Sequence, residues 1–198
     1  MSTVAATGLV DAPRRAAALP PDERRSMIVA AALSLLLEHG EMVKTRDIAA
    51  AAGIAEGTIF RAFATKDELI TAVIETALDT TALDQALATI DPHLPLEERV
   101  ASAVAMLQQR VVDVWRLASS VGVRFAEHCR RPSVDSEPLV RLFEASRGDL
   151  QVEPAAAART LRAFTMAVTH PLLANVPMSA ADIAHQFLHG VLAEEPPC

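Results

Sequence analysis

Hydroxyl-bearing and cationic side chains gather between residues 45 and 66, in a stretch that also contains two glycines. An arginine can donate two hydrogen bonds to guanine O6 and N7, while hydroxyls, lysines and helix N-termini can bind phosphate. The chemistry that these residue types offer is contact with a nucleic acid. The candidate positions are Thr45, Arg46, Glu56, Gly57, Thr58, Phe60, Arg61 and Lys66.

Arg61 is the first choice among these for reading a base. It lies one helical turn beyond Thr58 and is the only cation within the second of two predicted short helices. Gly57 and Thr58 belong to the first turn of that helix, where a missing side chain permits close backbone approach and a hydroxyl can reach phosphate or base. A phosphate contact is the alternative role for Arg61.

The elements that must position these residues form a helix-turn-helix. Ile48 is expected to point into the core, and Ala49 is small where the second helix crosses closest. Gly53 supplies the left-handed backbone that the tight turn needs, and Ile59 fastens the second helix, which leaves its other face free for the major groove. An ordinary helical hairpin is the alternative.

Helices are predicted for nearly the whole chain, because Leu, Ala and Val dominate, only 7 residues are Gly and none is Tyr. The fold class is therefore all-α, with about nine helices. Thr45 and Thr65 are expected to cap the helices that follow them. Residues 96–119 form either one long helix or two abutting ones. The predicted helices span about 20–40, 46–52, 56–63, 66–90, 96–119, 121–130, 137–147, 154–169 and 179–193.

The stretch 21–74 resembles the signature of TetR-family regulators. The resemblance rests on TRDIAAAAG from Thr45, on GTIF from Gly57, on Phe63 and on TKDEL from Thr65. It implies an all-α homodimer with a three-helix DNA-binding head and a ligand-binding body, most often a repressor that a small molecule releases from operator DNA. It also implies that Thr45 and Lys66 contact phosphate; their ordinary alternatives are a helix cap and a solvated surface charge.

Residues 1–19 mix Ala, Pro and two Arg without periodicity and are expected to form a flexible arm. We expect a helix-turn-helix domain at 20–66, followed by a ligand-binding and dimerisation domain at 67–198. The head departs from the family pattern, because Ala55 replaces the usual cap, Glu56 a common basic residue, and Phe60 the usual Tyr. Residues 20–70 contain six Lys or Arg against eight Asp or Glu. Arg14 and Arg15 of the arm either reach a minor groove or have no role in binding.

The body offers side chains that could line an apolar cavity for a small, largely apolar effector. Arg110 or His128 would then be the polar anchor. Core packing is the alternative for each of the candidates, which are Met106, Arg110, Trp115, Phe125, His128, Phe143, Phe164 and Met166.

The last two predicted helices are expected to hold the homodimer. Helical spacing gathers apolar side chains over half of the final helix, and such a surface needs a partner. Burial within one subunit is the alternative. The side chains concerned are Ile183, Ala184, Phe187, Leu188, Val191 and Leu192, with the small residues 155–158 on the preceding helix.

The rest of the sequence mainly excludes other functions. A net charge of −7 argues against general nucleic-acid binding, and no stretch is long and apolar enough for a membrane span. With no signal peptide found, a cytoplasmic location and two reduced cysteines are expected. We expect no cofactor, metal or catalytic residue, since His185 and His189 have no third ligand nearby. A small all-α enzyme, with Cys129 as nucleophile, and a helical adaptor remain as alternatives.

Overall fold

A computed structural model of the protein describes residues 20–128, 135–174 and 176–191. Its regular structure is helical, so the all-α class expected from the sequence is confirmed. The described part contains ten α-helices, which are α1 (Pro21–His39), α2 (Thr45–Ala51), α3 (Glu56–Ala62), α4 (Lys66–Leu78), α5 (Thr81–Leu87), α6 (Leu96–Val121), α7 (Val123–His128), α8 (Glu137–Glu144), α9 (Pro154–Thr169) and α10 (Ala180–Val191). Short 3₁₀ turns follow α1 (Gly40–Met42) and α8 (Arg147–Asp149).

A first hydrophobic cluster holds α1 to α4 together. Ile28 and Leu36 from α1 and Phe63 after α3 are almost completely buried in it. The same cluster receives Val121 and Phe125 from the end of α6 and from α7. Helices α1 to α4 are thus packed directly against Val121 and Phe125, which lie more than forty residues beyond the end of α4.

The predicted helix 66–90 is wrong in length, because the chain leaves helical geometry at Asp79 and resumes as α5. The Asp79 carboxylate accepts hydrogen bonds from the backbone N–H of Thr81, at 3.0 Å, and from its hydroxyl, at 2.7 Å. An aspartate that binds the backbone two residues on favours a turn over a continued helix. The start of the helix is as predicted, since Thr65 Oγ1 accepts from the Glu68 N–H.

The body is built around α6, which is one helix of 26 residues and not two abutting ones. It contacts α1, α5, α8, α9 and α10, and a second hydrophobic cluster forms where α8, α9 and α10 pack on its first half. Arg99 is 5% exposed within this region, and it donates to the Leu142 carbonyl and to Ser146 Oγ.

The apolar half of α10 is buried inside this same chain, which corrects the reason given for a dimer. Ile183, Ala184, Phe187 and Leu188 are at most 6% exposed and belong to the second cluster. They pack on the chain's own core, chiefly against α6. Leu192, also assigned to that surface, lies outside the described residues.

The small residues 155–158, proposed to pack against a second subunit, also include side chains that are buried within this chain. Ala157 and Ala158 are buried in the second cluster, while the exposed side of α9 is formed by other residues. Across the described ranges, no helix is both long and apolar enough to cross a membrane.

Candidate nucleic-acid interface and body cavity

The helix-turn-helix forms as the spacing of its apolar residues and glycine predicts. Ile48, Ala49 and Ile59 are buried between α2 and α3. Gly53 has a φ of +66°, in the left-handed region that favours glycine, and the N–H of Ile54 bonds back to the Ala49 carbonyl at 3.0 Å. This packing fixes α3 and leaves its opposite side in solvent.

The exposed side of α3 carries Gly57, Phe60 and Arg61. A Cβ built on Gly57 would meet no atom within 4 Å, so nothing in the described chain crowds this surface. Phe60 is 49% exposed, and Thr58 and Arg61 line a groove of about 240 Å³ beside the start of α1. Arg61 forms no hydrogen bond or ion pair within the described ranges, so its guanidinium is available to a partner.

Thr45 does not cap α2, because Lys44 occupies the cap position and no side chain there accepts a cap hydrogen bond. The Thr45 hydroxyl instead donates to Glu56 Oε1 at 2.5 Å. A phosphate contact by this hydroxyl would therefore have to replace a bond to a carboxylate. The departure noted at position 56 thus affects a second candidate contact.

Lys66 lies at the start of α4 and donates to the Glu41 carbonyl at 2.6 Å. An ammonium group has three protons, so this bond leaves donors for a phosphate. Arg46 is exposed and pairs with its neighbour Asp47 at 3.3 Å. Whether Arg46 and Lys66 contact DNA stays a prediction.

Several acidic residues of the head form ion pairs with cations. They therefore repel phosphates less than the net charge of the head suggests. Arg124 of α7 pairs with Glu41 at 3.1 Å and with Asp67 at 2.6 Å, and Arg25 pairs with Glu68.

Sequence reasoning missed Lys44, which is exposed beside the N-terminus of α2 and makes no ion pair within the described ranges. Its position directly before the helix-turn-helix was the available signal.

Replacing Glu56 with Gln should tighten DNA binding by about 1 kcal/mol, or roughly fivefold, because one negative charge leaves a surface that must approach phosphates. Fluorescence anisotropy with a labelled duplex at fixed salt measures the change. Glu98→Gln, with the same charge change in the body, is expected to have no effect. Equal affinities of the Glu56→Gln and parent proteins would show that Glu56 does not face DNA.

Replacing Arg61 with Ala should cost about 1–3 kcal/mol in binding to the preferred duplex and relax the preference at one symmetric base position. Selection from a random duplex library, run on both proteins, measures the preference. An unchanged selected sequence would remove Arg61 from base readout.

Lys66→Ala, by contrast, should weaken binding to all sequences alike and reduce the slope of log affinity against log salt concentration by about one per bound subunit.

A cavity of about 610 Å³ lies between α6, α5, α7, α9 and the end of α4. Its volume falls in the range of small-molecule sites, roughly 300–1,000 Å³. Four of the eight predicted ligand residues line it: Arg110, Trp115, Phe125 and Met166. The lining is predominantly apolar, as the sequence led us to expect.

The other four predicted residues do not line this cavity. Phe143 is fully buried in the second cluster, with its ring 5.9 Å from that of Phe187. Met106 and Phe164 pack on the same cluster, and His128 Nδ1 lies 2.9 Å from the Arg124 carbonyl. Their helices turn these side chains to other neighbours, so core packing accounts for three of them.

Several lining residues were missed by sequence reasoning, including Val111, Val114 and His170. The valines could have been found by extending the helical spacing of three and four from Arg110 and Trp115. His170 could not, since it follows α9 and reaches the cavity by stacking edge-on against Trp115, with ring centroids 4.4 Å apart.

His185 and His189 face each other on the exposed side of α10, with Nε2 atoms 2.7 Å apart. His185 Nδ1 contacts Glu97 Oε1 at 3.2 Å. No group of three or more His, Cys, Asp or Glu that could hold a metal was found among the described residues. Cys129, the nucleophile of the enzyme alternative, lies outside the described ranges, as do Cys198, Arg14 and Arg15.

Comparison with known proteins agrees with this geometry. The model of the family described as bacterial regulatory proteins, tetR family, matches residues 28–73, which contain most of α1, all of α2 and α3, and half of α4. The match therefore covers the helix-turn-helix and its supporting helices.

Solved structures with the same fold cover nearly the whole chain. A putative TetR-family transcriptional regulator from Mesorhizobium loti MAFF303099 has a TM-score of 0.66 at 15% identity, covering 89% of this chain and 100% of that one. The superantigen PfiT has a TM-score of 0.59 at 22% identity, covering 89% and 100%.

NalD of Pseudomonas aeruginosa, the secondary repressor of the MexAB-OprM multidrug efflux pump, has a TM-score of 0.51 at 20% identity and covers 86% and 96%. Likeness at these identities establishes the fold, while the family model identifies the helix-turn-helix. Residues 28–73 thus match the tetR family of bacterial regulatory proteins, and most of the chain has the fold of solved structures described as TetR-family regulators.

Proposed function

We propose that the protein is a homodimeric repressor that binds a palindromic operator and is released when a small molecule occupies the body cavity. The observation that carries this proposal is the course of α4. This helix begins at Lys66, beside the helix-turn-helix, and ends at Leu78, which lines the cavity. A ligand that displaces its last turn therefore acts on the helix whose first turn adjoins the helix-turn-helix.

A second connection between cavity and head supports the same proposal. Phe125 of α7 lines the cavity and is also buried in the first cluster with the head helices. Its neighbour Arg124 pairs with Asp67 in the first turn of α4 and with Glu41 before α2. A shift of α7 would move or break these two ion pairs.

The NalD likeness supports repression as the mode of action, since that protein is a repressor. Operator binding also implies a cytoplasmic location, which we propose on this ground alone. We assign residues 20–66 to DNA binding and 67–198 to ligand binding and dimerisation; the arm expected at residues 1–19 lies outside the described ranges. The family match supports a regulator over the enzyme and the adaptor.

We place the dimer interface on the exposed sides of α9 and α10. The exposed side of α9 includes the small residues Thr160, Ala163 and Ala167, which permit close helix approach, between the exposed Arg159 and Met166. After α9, Leu172 and Leu173 are 74% and 65% exposed, which is unusual for large apolar side chains that neighbour each other. A second copy would cover both features.

The function is tested by measuring coupling in both directions. Compounds are screened by quenching of Trp115, the single tryptophan of the chain, and each bound compound is titrated with and without operator duplex. The compound should weaken operator binding by roughly 5- to 150-fold, and the operator must weaken compound binding by the same factor. The duplex comes from selection on a random library.

Arg124→Gln should lower that factor, because it removes both ion pairs between α7 and the head. Arg141→Gln on α8, which pairs with Glu137 on its own helix, is the matched control and should keep the factor unchanged. If every compound that quenches Trp115 binds equally well with and without operator, the ligand-released repressor is excluded.

A further inference from the structure

Arg110 is the feature of the cavity that core packing does not explain. It projects from the middle of α6, is half-buried, and lines a cavity whose other α6 residues include Leu107, Val111 and Val114. Within the described ranges its guanidinium makes no hydrogen bond and no ion pair. Its five N–H donors therefore have no acceptor in the described part of the chain, beside a largely apolar lining.

The nearest acidic residues do not neutralise Arg110 directly. Burial lowers the pKa of the Arg110 guanidinium, and the charges of Asp79 and Asp113 offset only part of that effect. The Asp79 carboxylate is held by Thr81, which is the main reason that the pKa of Asp79 is lowered. Asp113 accepts from Gln109 Nε2 at 3.0 Å.

The remaining polar groups of the cavity also favour an anion. None of the described residues that line it is Asp or Glu, whereas Arg110 and Arg162 both line it. The hydroxyl of Ser119 donates to the Trp115 carbonyl. The same holds for Thr80, whose hydroxyl donates to Asp84 Oδ2, so neither hydroxyl offers its proton to a ligand. Among the described cations of the lining, the Arg110 guanidinium therefore remains as a group with no hydrogen bond or ion pair.

We propose that the effector is an amphipathic organic carboxylate, whose charged group binds Arg110 and whose apolar body lies against Trp115 and Phe125. That the carboxylate regulates DNA binding rests on the proposed function, whereas its binding to the cavity does not depend on that function. A planar guanidinium matches a carboxylate with two parallel hydrogen bonds, and such charge-assisted bonds are stronger than neutral ones. The largely apolar lining supplies the burial of the rest of the molecule.

The competing explanation is that the Arg110 stem covers apolar surface while its head remains in water. In that case an alcohol of the same size would bind as well as the acid. Matched pairs separate the two explanations, and we choose decanoate with decanol and 4-phenylbutyrate with 4-phenylbutanol. Quenching of Trp115 reports occupancy without DNA, and the chain has no tyrosine to add background.

The acid of at least one pair should bind the parent protein about tenfold tighter than its alcohol. Arg110→Gln should remove that preference, and Arg110→Lys should restore part of it. Arg116→Gln is the control, since Arg116 lies on the same helix, is exposed and does not line the cavity. Circular dichroism confirms that each variant is folded.

Equal binding of acid and alcohol, or no binding of either pair, overturns the proposal. A preference that survives in Arg110→Gln but disappears in Arg162→Gln overturns the assignment to Arg110. Carboxylates that bind through Arg110 yet leave operator binding unchanged uphold the site and refute ligand release. If the alcohols release the operator as effectively as the acids, the carboxylate proposal is refuted and the proposed function is upheld.

Discussion

Replacing Phe143 with Ala should lower the free energy of unfolding by about 3–5 kcal/mol. The side chain is fully buried on α8, among Leu139, Leu161 and Phe187 of the second cluster. Truncation removes the transfer free energy of the ring and leaves a void that the three helices around it can fill only in part. The tilted contact with the Phe187 ring is lost as well, which adds to the cost.

Urea denaturation followed by circular dichroism measures this loss, at equal protein concentration because the proposed dimer would also contribute to stability. For a chain of this size the melting temperature should fall by about 2–4 °C for each kcal/mol. Met166→Ala is the matched control, since Met166 is 52% exposed and lines the cavity. This substitution should change the free energy of unfolding little but weaken the binding of ligands to the cavity.

The opposite pattern would show that Phe143 contacts ligand after all. A Phe143→Ala protein of parent stability, with weakened quenching of Trp115 by cavity ligands, cannot be reconciled with a core side chain. Phe143 and Met166 entered the sequence analysis as equivalent candidates. Their different environments therefore give a direct test of what the structure adds.

The helix-turn-helix could be predicted because its requirements are local. The turn needs a left-handed residue, supplied by Gly53, and the crossing needs a small one, supplied by Ala49. Both demands are met within five residues of the chain, so the sequence contains them in readable form. Thr45 is the exception, because a side-chain bond to Glu56, eleven residues away, replaced the expected cap.

The cavity could be predicted only in part, because its lining depends on how distant helices pack. Phe125 and Phe143 are the same residue type on neighbouring helices, yet one lines the cavity and the other fills the core. Periodicity shows which side of a helix is apolar, but not what covers that side. For α10 the covering surface is α6 of the same chain and not a second subunit.

The end of α4 at Leu78 could have been predicted from the sequence. Asp79 followed two residues later by Thr81 is a local turn pattern, and it interrupts apolar spacing that otherwise continues. The break has a functional consequence, because it ends α4 at the cavity. A single helix to residue 90 would have carried α4 past it.

The burial of α10 also changes how the dimer must be tested. Phe187→Glu or Leu188→Glu would place a charge in the chain's own core, so loss of the dimer would follow from unfolding. A useful variant must alter a side chain that is exposed in the subunit. Ala163 meets this condition, since it lies on the exposed side of α9.

Ala163→Glu should convert the dimer to a folded monomer. At the proposed interface the carboxylate would lie against its symmetry copy in a closely packed seam, where burying an unpaired charge costs several kcal/mol. Because one recognition helix buries too little surface for a tight site, affinity for a palindromic duplex should fall by roughly 10³-fold or more. Light scattering gives the mass, and anisotropy the affinity.

Val123→Glu is the matched control, because Val123 is 79% exposed and belongs to α7, which is not part of the proposed interface. It should remain a dimer. An Ala163→Glu protein that is still dimeric at the same concentration would place the interface on another surface. A monomer that keeps full affinity for the palindromic duplex would contradict the premise that two linked recognition helices are needed. In that event the operator affinity would have to come from contacts within a single head.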